Sequence, residues 1–479
     1  MEKIFEGIDY EVLNQGNTSK FNEIFYDSRK IKEGDIFVAL KGATVDGHNY
    51  IEKAISLGAK LVIVSENVEV IDSSVTYVKV EDTRQTLGFI ASNFYGYPQK
   101  DLKIIGVTGT NGKTTSTYLL EKLIGTCSRI GTVEYKIGDE IIEAPNTTPE
   151  SLDLIKMMKK TVEKGIKHFI MEVSSHALEM GRVEMLDFET AIFTNISQDH
   201  LDYHKNMDNY FEAKKKLFVK LKDKSKGVYN ADDSYGEKLY KEFGGLSYSI
   251  NSGDIKGKIL ESKLKSSVIE LEYKGIKRVE EIKILGLFNL YNLMGVLGGM
   301  LHLGYDFNEL CDKISSIEGV PGRFQMVEAG QDFIVIVDYA HTPDGLTNVL
   351  KAANEIKKNK IITIFGAGGD RDKTKRPLMA IEAAKYSDIV IATSDNPRTE
   401  NPEDILEDVK KGFEGFNNVQ VEIIVDREEA IKRGVELAGS NDILMLAGKG
   451  HETYQIIGKE KIHFDDREMA IKYIKGEKC

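Results

Sequence analysis

The chain has 479 residues, 41% hydrophobic and 29% charged, which fits a globular protein of two to four domains with ample material for cores. A net charge of −12 argues against nucleic acid as a partner, because neutralising phosphates needs a basic face. No apolar run approaches the ~18 residues that would span a membrane. The three cysteines (Cys127, Cys311, Cys479) have no zinc or disulfide spacing and the N-terminus does not read as a signal peptide, so the expectation is a cytoplasmic protein.

The N-terminal part carries two apolar strand patterns, Asp35–Leu40 and Lys60–Val64, and reads as a smaller α/β domain. The Pro-containing junction Tyr95-Gly-Tyr-Pro-Gln99 reads as a linker. The strand pattern 103–108 then runs into Gly109-Thr-Asn-Gly-Lys-Thr-Thr115, and helical periodicity follows over 116–124. Strand, glycine-rich turn and helix start aim backbone N–H groups and a helix N-terminus at one point, which suits a polyphosphate. Lys113 can reach outer phosphates and Thr114 can ligate Mg²⁺. The string is shorter than the full phosphate-loop pattern, since Val107 stands where a glycine would open it.

Beyond this loop the chain alternates apolar strands with amphipathic stretches, over 168–173, 191–196, 333–338, 361–365, 388–392, 421–425 and 442–446. That alternation predicts parallel α/β sheets. A second junction, Glu318-Gly-Val-Pro-Gly-Arg323, suggests division into 1–98, 99–324 and 325–479. Ligands of open α/β sheets bind beyond the carboxyl ends of the strands. There the sequence has Glu172, His200, Asp338-Tyr-Ala-His341, Gly369-Asp-Arg-Asp372, Asp395-Asn-Pro-Arg398 and Gly448-Lys-Gly-His-Glu452.

Glu172 at a strand end suits a hard cation. His200 alone reads more plainly as a hydrogen-bonded structural histidine, and Lys214–Lys216, in an amphipathic helix over 210–218, as a solvated basic face. Asn289 and Asn292 sit three apart at a helix start, where capping accounts for one and a grip on a purine base for both. Arg398 could fork onto a carboxylate and Glu452 could pair with an ammonium, holding an amino acid by its charged ends.

Taken together, these motifs, with Asp27-Ser-Arg29, Asn146-Thr-Thr-Pro149 and Gly322-Arg323, resemble those of the Mur ligases of bacterial cell-wall synthesis across nearly the whole chain. The resemblance implies three domains: a smaller N-terminal α/β domain for a UDP-sugar, a central phosphate-loop ATPase with a parallel sheet, and a Rossmann-like C-terminal amino-acid domain. It implies ATP-dependent ligation of a third amino acid to UDP-MurNAc-L-Ala-D-Glu through an acyl phosphate, by a monomer acting in the cytoplasm. By resemblance, Ser28, Ala43, Thr44 and Val45 contact the uridine part, and Asn146, Thr147, Thr148, Ser174 and Arg182 hold the sugar peptide. Gly109, Thr110, Asn111, Gly112, Lys113, Thr114, Thr115, Asn289, Asn292, Arg323 and Asp338 hold ATP. Mg²⁺ sits on Thr114 and Glu172, and a second on His200 and Lys214, which matches the position of a carbamylated lysine. Arg371, Asp395, Asn396, Pro397, Arg398, Gly448 and Glu452 hold the incoming amino acid. The Asp-Asn-Pro-Arg turn resembles the form that takes meso-diaminopimelate, whose distal carboxylate Arg398 can pair. Met180 departs from the pattern, where relatives often carry Gln. Lysine or lanthionine as the amino acid, a folylpolyglutamate synthetase-like ligase, and a nucleotide-dependent switch are the alternatives.

Overall fold

The computed structural model describes residues 1–18, 20–42, 45–317 and 319–476. Two compact units emerge, and they do not follow chain order. One comprises residues 1–106, 124–189 and 216–223; the other comprises 107–123, 190–215 and 224 onward. The chain leaves the first unit inside the strand Lys103–Thr108, so the phosphate loop belongs to the second.

The first unit holds a five-stranded sheet in the order Tyr10–Asn14, Thr76–Val80, Leu61–Val64, Ile36–Val38, Ile24–Phe25. The first pair is antiparallel and the others parallel. Leu61–Val64 is buried throughout, as expected of a continuous apolar run in a covered sheet. The predicted strand 35–40 is shorter in the structure, because Asp35 instead accepts the Lys32 N–H in the preceding turn. The helix Thr83–Tyr95 starts where Asp82 accepts the Arg84 and Gln85 N–H groups. The same unit contains the strands His168–Glu172 and Ser128–Ile130, paired in parallel, and two antiparallel strands, Glu134–Ile137 and Glu140–Glu143.

The second unit has two sheets. In one, Thr190–Phe193, Gly227–Asn230, Leu246–Ser249 and Ile255–Ser262 run parallel, and Ser267–Tyr273 and Ile276–Ile282 complete an antiparallel edge. The helix Leu287–His302, apolar on nearly every side, packs across the parallel strands. The other sheet has the order Gln325–Val327, Ile334–Asp338, Ile443–Ala447, Ile361–Ala367, Ile389–Ser394, Gln420–Ile423, with only the first strand antiparallel. Its central strands are wholly buried between helices. At about 1.5–3 kcal/mol for each large apolar side chain removed from water, these strands dominate the cohesion of this half. Among the described residues no helix is long and apolar enough to cross a membrane.

Candidate functional site

The helix after the phosphate loop begins at Lys113, earlier than its periodicity predicts, because the loop itself supplies the helix start. Gly112 has φ +86°, and a Cβ there would overlap Asn292 Oδ1, so the turn requires glycine. The Lys113 ammonium bridges the loop, donating to the carbonyls of Gly109 at 2.9 Å and Thr110 at 2.8 Å. The predicted strand 191–196 ends at Phe193 because the next side chains serve the loop. Thr194 Oγ1 donates to the Asn111 carbonyl at 2.6 Å, and Asn195 Oδ1 accepts the Asn111 N–H at 3.0 Å. Thr110 Oγ1 accepts the Ser197 N–H at 3.0 Å and lies 3.2 Å from the Tyr210 hydroxyl. Thr115 is buried in the helix, while Thr114 Oγ1 accepts Arg323 Nη2 at 3.0 Å.

Lys214 is not on a solvated face. It is 1% exposed, on the buried side of the helix Met207–Val219, and donates to the Gly109 carbonyl at 2.8 Å. Burial pushes its ammonium well below the usual lysine range, Lys113 adds to the effect and Asp199 opposes it. Its neighbour Lys215 behaves as the basic-face reading expected, pairing with Glu242. His200 is half-exposed with φ +54°, a conformation uncommon for a residue with a Cβ, and its Nε2 lies 3.3 Å from Asp199. Burial pushes the Asp199 carboxyl up, but Lys375, at 3.7 Å, with His200 and His341, overrides this and holds it far below the usual range.

Neither asparagine of the pair caps the helix Leu287–His302. Its N-cap, Gly286, has no side chain to offer, and Asn289 donates back to the Leu285 carbonyl at 2.8 Å. Asn292 donates to Asn289 Oδ1 at 3.3 Å and lies against Gly112. Asp338 is buried, accepts the Phe324 and Ala340 N–H groups at 2.6 and 2.7 Å, and is pushed up to about 6 by burial against the pull of Arg323. Arg323 stacks 4.4 Å from the Tyr339 ring centroid.

A second cluster gathers at the far strand ends of the same unit. Arg398, with φ +51°, donates to the Gly369 carbonyl at 2.8 Å. Gly368 lies between the two guanidinium side chains: a Cβ there would meet Arg398 Nη1 at 3.1 Å and Arg371 Cγ at 3.8 Å. Burial and the nearby Arg398 both lower Arg371, so two like charges are held together, as an anion site requires. Asp395 and Asn396 turn inward onto Lys449, which is fully buried, with its Nζ 3.3 Å from Asp395 Oδ1, 3.2 Å from Asn396 Oδ1 and 3.4 Å from Glu452 Oε2. Glu452 also accepts Asn396 Nδ2 at 2.9 Å. It thus meets an ammonium within the protein. Burial and Asp395 push the Glu452 carboxyl up against the pull of Lys449. Gly448 has φ +117° and fits closely against Asp395. The hairpin Tyr454–Ile457 and Glu460–His463 clamps the turn around Pro397: the Ile456 N–H donates to Asn396 Oδ1 at 2.9 Å and its carbonyl accepts the Arg398 N–H at 3.1 Å.

In the first unit, Glu172 is buried, and Thr132 N–H and Oγ1 donate to its two oxygens at 3.0 Å each. Thr147 Oγ1 lies 3.1 Å from Thr132 Oγ1. Thr148 Oγ1 donates to the Glu172 carbonyl and accepts the Ser174 N–H, while Ser174 caps the helix Ser175–Glu179. Arg182 donates to the Thr148 carbonyl at 2.9 Å and pairs with Glu150 at 2.9 Å. The Asn146 carbonyl accepts the Tyr135 hydroxyl. A cavity of about 470 Å³ is lined by Tyr26, Ser28, Val45, Arg84 and Glu150 among others, with Arg84 on the same Glu150 oxygen at 2.7 Å. Ala43 and Thr44 lie outside the described residues.

Sequence reasoning gave no role to Thr132, Glu150, Lys375 or the 454–463 hairpin. Lys449 was visible as the lysine of a glycine-rich strand-end loop, but nothing in its spacing marked it as buried.

The Mur ligase family catalytic domain matches residues 20–95, the Mur ligase middle domain 107–300, and the Mur ligase glutamate ligase domain 322–450. The UDP-N-acetylmuramoyl-L-alanyl-D-glutamate–2,6-diaminopimelate ligase of Fusobacterium nucleatum is 56% identical over 478 residues, covering 98% of this chain and 97% of the relative. Ligase 1 of the same name from Clostridium acetobutylicum is 42% identical over 484 residues, covering 99% of each. A solved structure of a ligase of that name superposes with a TM-score of 0.68 at 35% identity, over 99% of this chain and 98% of the other.

Proposed function

The chain belongs to the Mur ligase family, and we propose that it is an ATP-dependent amide ligase that adds meso-diaminopimelate to UDP-MurNAc-L-Ala-D-Glu in peptidoglycan precursor synthesis. The observation that carries this reading is the pairing of two features within one compact unit: a phosphate loop closed by its own lysine, and a two-arginine clasp beside the Asp395–Arg398 turn. Three family matches in chain order, at 20–95, 107–300 and 322–450, support a division near 1–98, 99–324 and 325–479, and in this reading the three parts serve the UDP-sugar, ATP and the amino acid.

The loop N–H groups from Gly109 to Thr115 and the Lys113 ammonium bind the phosphates, Arg323 and Asp338 flank them, and Asn289 and Asn292 buttress the turn. Phosphoryl transfer from ATP to the substrate carboxylate is chiefly positioning and charge neutralisation, and Lys113 and Arg323 supply both. The resulting acyl phosphate is attacked by the amine of the incoming amino acid, which forms the amide and expels phosphate. Arg398 and Arg371 orient that amino acid through its distal carboxylate, which makes the attack near-unimolecular. In the first unit Ser28 and Val45, and Asn146, Thr147, Thr148, Ser174 and Arg182, hold the nucleotide sugar and its peptide.

In the second unit Thr114 offers a hydroxyl and His200 a half-exposed ring nitrogen of the kind that could hold Mg²⁺, and in the first unit Glu172 is a buried carboxylate suited to a hard cation. Lys214 suits carbamylation, because only a neutral amine adds CO₂ and burial favours that form. Mg²⁺ held by such groups would supply neutralisation of the charge on a transferring phosphoryl group. A monomer in the cytoplasm, independent of nucleic acid and membrane, completes the reading.

The test is phosphate release from ATP with UDP-MurNAc-L-Ala-D-Glu present, with and without meso-diaminopimelate, lysine or lanthionine. Release should require both substrates and be fastest with diaminopimelate. Release indifferent to both would instead mean a nucleotide-dependent switch.

A further inference from the structure

Asp344 stands in the first turn of the helix Pro343–Ile356. An acidic residue at such a place usually does no more than favour the helix dipole. Here the cap is already made, since Thr342 Oγ1 accepts the Gly345 N–H at 3.0 Å. The Asp344 carboxylate serves another purpose. Its Oδ2 accepts Asn111 Nδ2 at 2.7 Å, Asn348 Nδ2 at 3.2 Å and Ser197 Oγ at 3.4 Å. Two of these donors are more than 140 residues away in sequence.

Asn111 is the tip of the phosphate loop. Its N–H is taken by Asn195 Oδ1, and its carbonyl by Thr194 Oγ1 and by Asn195 Nδ2 at 3.3 Å. Its side-chain amide therefore reaches out of the loop to Asp344. Ser197 closes a ring, because its N–H donates to Thr110 Oγ1 in the same loop. We infer that Asp344 is a positioning residue that fixes the Thr110–Asn111 stretch of the phosphate loop from the C-terminal sheet's first helix, and so sets nucleotide affinity from outside the loop. The inference rests on the reading of residues 109–115 as the nucleotide site.

The experiment is calorimetric titration of the full chain with ADP and Mg²⁺, for wild type, Asp344→Ala, Asp344→Asn, Asn111→Ala and the double alanine variant, with thermal unfolding followed in parallel. Asp344→Ala and Asn111→Ala should each weaken ADP binding by about tenfold, and the double variant by little more than either alone, because both remove the same Asn111–Asp344 hydrogen bond. Asp344→Asn keeps a carbonyl oxygen with two lone pairs, enough for the Asn111 and Asn348 amides, and should bind within about threefold of wild type. In turnover, KM for ATP should rise in the alanine variants and KM for diaminopimelate should stay unchanged. ADP affinity preserved in Asp344→Ala, losses that multiply in the double variant, or an asparagine variant as weak as alanine would overturn the inference. If Asp344→Ala does not fold, the asparagine and Asn111→Ala variants decide it. Wild-type protein that binds no ADP would instead remove the nucleotide reading itself.

Discussion

The phosphate loop and the Arg398 turn both follow parallel strands, yet they differ in how much of their geometry their own residues set. In the loop, Lys113 binds carbonyls three and four residues before it, and the glycine geometry is encoded in the same seven residues. In the turn, Asp395, Asn396 and Arg398 are held by Gly369, by buried Lys449 and by a hairpin some 60 residues downstream. The first takes its turn from its own residues and is then braced by Thr194, Asn195, Lys214 and Asp344 from farther along the chain. The second exists only once the whole sheet has assembled, so damage to it should appear in stability as well as in substrate binding.

The sharpest way to break this contrast lies in the loop's unit. Lys214→Ala should reduce ligation by about 10³-fold or more, as loss of a transition-state charge partner does. Added bicarbonate should not restore it, and near-normal turnover would refute the carbamate. Arg398→Ala should raise KM for diaminopimelate by roughly 10²-fold and leave ADP affinity unchanged, since removing a charged partner of a carboxylate costs a few kcal/mol. A matching loss of ADP affinity would show that the two devices are not separable. Lys449→Met should cost about 3–5 kcal/mol in unfolding free energy, because it leaves Asp395 buried beside Glu452 without its cation. An unchanged denaturation midpoint would contradict the buried network. Ile456→Pro removes the N–H given to Asn396 and should raise KM for the amino acid only about fivefold.

Mild acid should produce the smallest effect. Burial holds His341 and His451 neutral, at about 4 and about 3 against an ordinary 6.5. Between these values the unfolded chain binds more protons, so stability falls as pH drops through that window. Asp338, raised to about 6, works the other way, because its contribution grows as pH falls below its folded value. Glu452, also pushed up by burial, acts in the same direction as Asp338, so substitution is what isolates the histidines' share. Between about pH 7 and about pH 5 the midpoint of thermal unfolding should lose less, or gain more, in His451→Asn than in wild type.

The same contrast explains what the sequence made legible. The loop, its strand and its helix could be read because the motif itself is contiguous, and the strand alternation predicted the sheets for the same reason, whereas the loop's distant partners at 194, 195 and 344 left no such signal. Lys214 and Lys215 are neighbours of one residue type, yet one is buried under Gly109 and the other pairs at the surface. Helical phase alone could not tell which faced inward, and only the family resemblance marked Lys214. Asn289 looked like a cap by position, but the actual N-cap is a glycine and the asparagine turns back to Leu285. The hairpin 454–463 has outward-facing residues on both strands and gives no periodic signal of the turn it clamps. Asp344 carried no signal in the sequence, because its partners, at 111 and 197, are brought to it only by folding.

The most direct test of the central claim follows oxygen. With the carboxylate of the UDP-MurNAc-dipeptide carrying a heavy-oxygen label, turnover with ATP and meso-diaminopimelate should deliver that label into the released phosphate, because the carboxylate oxygen leaves on phosphorus when the amine attacks. Amide product accompanied by unlabelled phosphate would contradict carboxylate activation at the phosphate loop.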